Sequence, residues 1–199
     1  MFVTGLVLAA GSSRRLGAPK QLLAYGETTL LGASLQMARK CGFDELLVTL
    51  GGAAEEVRSK VDLSGAKVVD NDEFETGCSS SICAALEHVD DCADGLVILL
   101  GDQPEVSPAS VRRLLEEAGG SPIGICRYDD GLGHPLFFHR RVFRELAMLH
   151  GDKGVWKLIE SGHHAVTEVG VEGPTPLDVD TREDYMTLLD HAAATWERP

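Results

Sequence analysis

Four short apolar runs alternate with helical patterns through the first 120 residues, and this alternation limits the chain to an α/β architecture. The runs are residues 2–9, 45–50, 67–69 and 95–100. Continuous apolar runs are buried on both faces, as in a parallel sheet covered by helices; strands of a half-exposed antiparallel sheet alternate instead. Between the runs, residues 29–41 place Leu30, Leu31, Leu35 and Ala38 at helical spacing before Gly42, and 53–61, 79–89 and 107–118 read as further helices. Ser107 followed by Pro108 marks one helix start, a hydroxyl cap before a residue whose fixed φ suits the first turn. The expected fold is a three-layer αβα arrangement around a mainly parallel sheet. Ligands then bind outside the carboxyl ends of the strands, in the loops after Leu8, Leu50, Val69 and Leu100.

After Pro122 the pattern loosens. Residues 123–126, 136–138 and 165–169 read as strands, and 141–148, 154–160 and 182–194 as helices. No Ser-rich or Pro-rich linker interrupts the chain, and no internal repeat exceeds the βα alternation. The expected organisation is one domain over 1–199, with a first half of about 1–120 and a second of about 121–199. A chain of 199 residues with 44% hydrophobic content can bury a core of its own.

A net charge of −13 excludes the large basic face that nucleic-acid binding requires. Five cysteines, an odd number without CxxC spacing, indicate reduced thiols rather than a disulfide framework or a zinc site. The apolar N-terminus has no preceding basic residue and is followed by Arg14 and Arg15, the wrong charge polarity for an export signal. No apolar run reaches the length of a membrane span, so no membrane partner and a cytoplasmic location are expected.

Against that acidic background one loop is basic. Leu8-Ala-Ala-Gly-Ser-Ser-Arg-Arg-Leu-Gly-Ala-Pro-Lys20 follows the first strand and carries Arg14, Arg15 and Lys20. A glycine-rich turn between strand and helix brings backbone N–H groups close to an anion with no side chain in the way. Unit charges about 4 Å apart at an effective dielectric of about 20 interact by roughly 4 kcal/mol, whereas charges beyond about 8 Å are screened, so local cations outweigh the global negative charge. The spacing of Gly11, Gly17 and Lys20 fits neither a Walker loop nor the GxGxxG dinucleotide fingerprint.

The same thirteen residues resemble the LAAGxSxRMGxxK signature of the molybdenum cofactor cytidylyltransferases and the related guanylyltransferases. Gly11, Ser13, Arg15, Gly17 and Lys20 match, and Leu16 stands where the family often has methionine. The resemblance implies a Rossmann-like nucleotidyltransferase fold in which Leu8, Ala9, Ala10, Gly11, Ser12, Ser13, Arg15 and Lys20 bind the nucleotide. Lys20 would steady the charge on the α-phosphate, and Arg14 would be auxiliary.

Further segments extend it. Gly101-Asp102-Gln103-Pro104 ends the fourth strand, where a hard oxygen donor suits Mg²⁺. It resembles the family's metal-binding motif, with Asp102 on the metal and Gln103 toward the acceptor. Leu177-Asp178-Val179-Asp180-Thr181 resembles the family's DIDTPED pattern, with Arg182 in place of proline; Asp178 and Asp180 share a face if extended. Asp180 is favoured as second metal ligand, with Asp178 in reserve and capping of the last helix as the alternative role of Asp180 or Thr181. Residues 71–81 resemble an NPxWxxGMSSS segment, which implies that Gly77, Ser79 and Ser80 bind the nucleotide; N-capping competes as a role for Ser79. Gly133-His134-Pro135 and Gly151-Asp152-Lys153-Gly154 resemble acceptor-side segments, making His134 and Lys153 the expected acceptor contacts.

The implied reaction is transfer of CMP from CTP to molybdenum cofactor with release of pyrophosphate, carried by Arg15, Lys20, Asp102 and Mg²⁺. Ala10 favours cytidine, because the guanylyl enzymes tend to read LAGG where this chain reads LAAG. Expected partners are a nucleoside triphosphate, molybdenum cofactor or another phosphorylated small molecule, and a molybdoenzyme that receives the product. Transfer from GTP or to a sugar or alcohol phosphate, and non-catalytic delivery of the cofactor, remain the alternatives.

Overall fold

The computed structural model describes residues 1–13 and 15–196. Seven strands form one sheet in the order β5-β4-β1-β6-β8-β7-β9. β1 (Val3–Ala9) lies inside it, between β4 (Glu45–Leu50) and β6 (Gly95–Leu100), and all three run parallel, as does β5 (Lys67–Asp70) beyond β4. β8 (Gly131–His139) runs antiparallel to β6 and to β7 (Ile123–Tyr128), and β9 (Val166–Gly170) is parallel to β7. Successive side chains of a strand point to opposite faces. Leu6 and Val7 accordingly enter two different buried clusters, both without solvent exposure.

One face carries Val7, Val48 and Val97 against α1 (Leu30–Arg39) and α4 (Pro108–Ala118), through Leu31, Leu35, Val111 and Leu114. The other carries Leu6, Leu47 and Ile98 against α3 (Cys78–Leu86), α5 (Phe143–Leu146) and α6 (Gly154–Glu160), through Ile82, Leu146 and Leu158. Each fully buried aliphatic side chain contributes about 1.5–3 kcal/mol, so the two clusters fix the three layers. α2 (Ala54–Lys60) and α7 (Arg182–Trp196) complete the helices. Ser107 caps α4 as expected, its hydroxyl accepting from Ala109 N with Pro108 at the first turn.

The second half departs from expectation in extent and direction. The strand expected at 136–138 is the last part of a nine-residue strand whose first residues, Gly131 to Pro135, are broken by two glycines, a histidine and a proline and so form no apolar run. Helix 141–148 resolves into a 3₁₀ turn, Arg140–Val142, running into the short α5. A two-residue hairpin, β2 (Ala24–Tyr25) with β3 (Thr28–Thr29), precedes α1 and is too short for any periodicity to announce it. Among the described residues no helix is long and apolar enough to cross a membrane, and all five cysteines are free.

Register sets the height of the site. Leu8 pairs with Thr49 on one side and with Leu100 on the other, so β1, β4 and β6 end level. β8, running the opposite way, enters the sheet at that same edge and brings His134 there.

Candidate active site at the carboxyl edge of the sheet

A cleft of about 530 Å³ opens along this edge, lined by the start of the glycine-rich loop (Leu8 to Ser12), Lys20, Asp102, Asp178 and Asp180. Its volume suits a small-molecule ligand. Lys20 follows a loop with two left-handed residues, Ser13 (φ 51) and Gly17 (φ 70). The Ser13 hydroxyl accepts from Lys20 N at 2.8 Å, and Ser13 O from Leu16 N at 3.0 Å, folding the loop back so that the lysine side chain enters the cleft.

There Lys20 Nζ donates to Asp102 Oδ2 at 2.5 Å and to Asp180 Oδ1 at 3.1 Å. Burial works against the ammonium, but the Asp102 and Asp180 carboxylates outweigh it and hold the Lys20 pKa above its ordinary value. Asp180 also accepts from Arg15 Nη2 at 2.7 Å. Burial alone would raise the Asp180 pKa; Lys20 and Arg15 reverse that and hold it below the usual carboxylate range. Arg15 itself is 68% exposed and stands outside the cleft lining. Arg14 lies outside the described residues.

The alternation expected at 177–180 holds. Leu177 and Val179 pack inward with Leu30 and Leu188, and Asp178 and Asp180 face the cleft. Capping of α7 falls to Thr181 and not to the Asp180 carboxylate: the Thr181 hydroxyl accepts from Asp184 N, and Asp184 Oδ2 accepts in return from the N–H of both Asp180 and Thr181. That reciprocal box satisfies the helix start and leaves the Asp180 carboxylate to the cleft. Beside it, desolvation among the surrounding side chains first and then the Asp102 charge push the Asp178 pKa up to about 6.

Several expected contacts are placed otherwise. Gln103 is 2% exposed and sits behind the acids, its Nε2 donating to Pro176 O at 2.9 Å and Asp178 Oδ1 at 2.7 Å, so it braces the 176–180 segment instead of facing an acceptor. Ser79 is buried and its hydroxyl donates to Gly151 O at 2.6 Å. The Ser80 hydroxyl is held among Glu73 O, Gly77 O and Asn71 Nδ2. Neither serine offers a free hydroxyl to the cleft; Ser81, which does line it, accepts from Asn71 Nδ2. Gly77 does line the cleft, and with φ 117 it lies so close to the 151 loop that a Cβ would stand 2.6 Å from Gly151 C. Lys153 is exposed and outside the lining; its neighbour Asp152 lines the cleft and accepts from Cys78 N at 3.1 Å.

His134 does reach the cleft, edge-on to Trp156 with ring centroids 6.1 Å apart. Burial pushes its pKa down to about 4, so the imidazole is neutral near pH 7. Sequence reasoning did not single out Trp156, Phe74 or Gln21, all of which line the cleft. A lone aromatic within a helical pattern and an amide beside a lysine carry no spacing signal.

Paired carboxylates and a half-buried ammonium beneath a glycine-rich loop, at the carboxyl edge of a mainly parallel sheet, define a phosphate-handling α/β protein. The chain belongs to the MobA-like NTP transferase domain family, whose profile matches residues 5–166. The nicotine blue oxidoreductase of Paenarthrobacter nicotinovorans is 30% identical over 199 residues, covering 94% of this chain and 96% of that protein. The crystal structure of a Mycobacterium sp. strain JC1 homologue of the Mycobacterium tuberculosis protein Rv0371c superposes with a TM-score of 0.92 at 53% identity, over 97% of this chain and 98% of that one. Rv0371c itself, in complex with manganese, gives a TM-score of 0.85 at 51% identity over 96% and 99% of the two chains.

Proposed function

We propose that this protein transfers CMP from CTP to the terminal phosphate of molybdenum cofactor, with Mg²⁺ and with release of pyrophosphate. The observation that carries the reading is the Lys20 ammonium clasped between Asp102 and Asp180 beneath the glycine-rich loop. Two carboxylates that reach one point are the donor set Mg²⁺ takes when phosphate and water complete its shell. Asp102 and Asp180 would hold the ion, with Asp178 at hand, and the manganese complex of the mycobacterial relative is consistent with a divalent ion in this family. When bound, the ion neutralises phosphate charge and aligns the reacting groups.

The residues of the chain do the rest by positioning and charge, as in phosphoryl transfer generally. The backbone of Ala10 to Ser12 receives the triphosphate at the cleft wall. Lys20, kept charged by its carboxylates, supplies a cation to the α-phosphate as nonbridging charge builds there. Arg15, at the rim, reaches toward the outer phosphates. No side chain has to act as general base, because a phosphate monoester acceptor is already ionised near neutral pH. His134, neutral, and Trp156 offer the acceptor a flat uncharged wall rather than a second cation. Ala10 supports cytidine as the base. The redox activity in the name of the Paenarthrobacter relative belongs to that protein; the acids and lysine here are arranged for transfer.

The test is incubation with Mg²⁺, molybdenum cofactor and each of the four nucleoside triphosphates, following pyrophosphate. The expected result is release that is fastest with CTP. Preference for GTP, or turnover only with a sugar or alcohol phosphate, would correct the substrates; no pyrophosphate from any combination would refute transfer.

A further inference from the structure

Gln21 lies beside Lys20 on the short 3₁₀ turn Lys20–Leu22, and its side chain is 4% exposed. Its Nε2 donates to Ala9 O at 2.7 Å and to Gly11 O at 2.9 Å. Both acceptors are carbonyl oxygens, so the nitrogen must face them and the orientation of the amide is settled by chemistry. Oε1 is then left buried without a hydrogen-bond partner among the described residues. Packing does not explain this choice, since a methionine fills a similar volume without burying an amide.

What the amide does is orient the loop. In a trans peptide the C=O of one residue and the N–H of the next point opposite ways. Holding the carbonyls of Ala9 and Gly11 therefore turns the N–H groups of Ala10 and Ser12 away from Gln21. Ala10, Gly11 and Ser12 all line the cleft. A carbonyl turned outward there would meet a phosphate oxygen with like partial charge. We propose that Gln21 is a positioning residue that sets the donor face of this loop, withdrawing two carbonyls so that two N–H groups are presented to phosphate. It touches no substrate itself, and the inference rests on the proposed role of the cleft as a triphosphate site.

The test is calorimetry on the full chain, wild type, Gln21→Met and Gln21→Glu, with CTP, inorganic tripolyphosphate and cytidine. Loss of two oriented donors weakens CTP and tripolyphosphate binding by about tenfold or more in Gln21→Met, and leaves cytidine within about twofold. In Gln21→Glu an ionised carboxylate opposes the two carbonyls, whereas a protonated one donates a single bond. Tripolyphosphate affinity of that variant, relative to wild type at the same pH, therefore recovers as pH falls from about 7 to about 5. This recovery decides the matter if Gln21→Met does not fold. Undiminished tripolyphosphate binding in Gln21→Met, equal loss of all three ligands, or no recovery in Gln21→Glu would overturn the inference. Failure of wild type to bind CTP and tripolyphosphate would instead overturn the triphosphate reading on which it stands.

Discussion

The Gln103 carboxamide and the Asp178 carboxylate meet at 2.7 Å across 75 positions of sequence. Gln103 directly follows Asp102, so one residue ties the end of β6 to the segment that delivers the distant acids. The second half of the chain is thereby held against the first at the point where their carboxylates converge.

Removing that tie leaves Pro176 O and Asp178 without the donor that serves both. Gln103→Leu should lower stability by about 1–3 kcal/mol in urea denaturation. It should also weaken Mn²⁺ binding in calorimetric titration. Unchanged metal affinity would show that the 176–180 segment holds its place without Gln103.

Asp102→Ala should fold, because only its carboxylate faces the cleft while β6 remains buried between β1 and β8. Turnover should fall by about 100-fold or more, the scale on which loss of one preorganised charged or polar group at a reacting centre is felt. Pyrophosphate release, read beside a melting curve, checks both halves of the expectation. Full activity would place the metal elsewhere.

His134 gives the fold an acid limb. Its pKa is about 4, against 6.5 for an unburied imidazole. Between those values the unfolded chain holds a proton that the folded chain does not, so the contribution is full above about pH 6.5 and is lost as pH falls toward 4, by up to about 3 kcal/mol. His134→Phe should flatten the fall in stability over that window in denaturant titrations. An unchanged slope would show that the imidazole is solvated in the folded protein.

Gly77→Ala places a methyl group where φ is 117 and Gly151 C stands 2.6 Å away. The left-handed backbone and the contact together should cost more than about 1 kcal/mol. They should also part the start of α3 from the 151 loop, visible as a higher KM for the acceptor with little change for the nucleotide. A melting temperature equal to wild type would contradict the contact.

The parallel core of the fold was legible because its strands are buried on both faces and so read as unbroken apolar runs; residues 45–50 and 95–100 coincide with β4 and β6. The direction of β8 was not, since pairing partners far apart in sequence leave no local trace. In the site, Lys20 and Asp102 were legible from charge set at strand ends, and Asp180 from resemblance joined to alternation. A hydroxyl at a helix start looks alike in sequence whether it meets a ligand or a backbone carbonyl, and the Ser79 hydroxyl meets Gly151 O. Gln21 escaped because its role is with backbone carbonyls, which every sequence contains.

The reversal of β8 has a consequence for how such a cleft can diversify. β1, β4 and β6 offer the site their outgoing ends, while β8 offers its incoming end, through His134. Chain inserted or exchanged beyond β6 can reshape the far wall without shifting the register that levels Leu8 with Leu100. The exchange has one limit: Asp180, also delivered from beyond β6, clasps the Lys20 that the loop after β1 presents, so the far wall can vary only where it leaves the 176–180 segment in place.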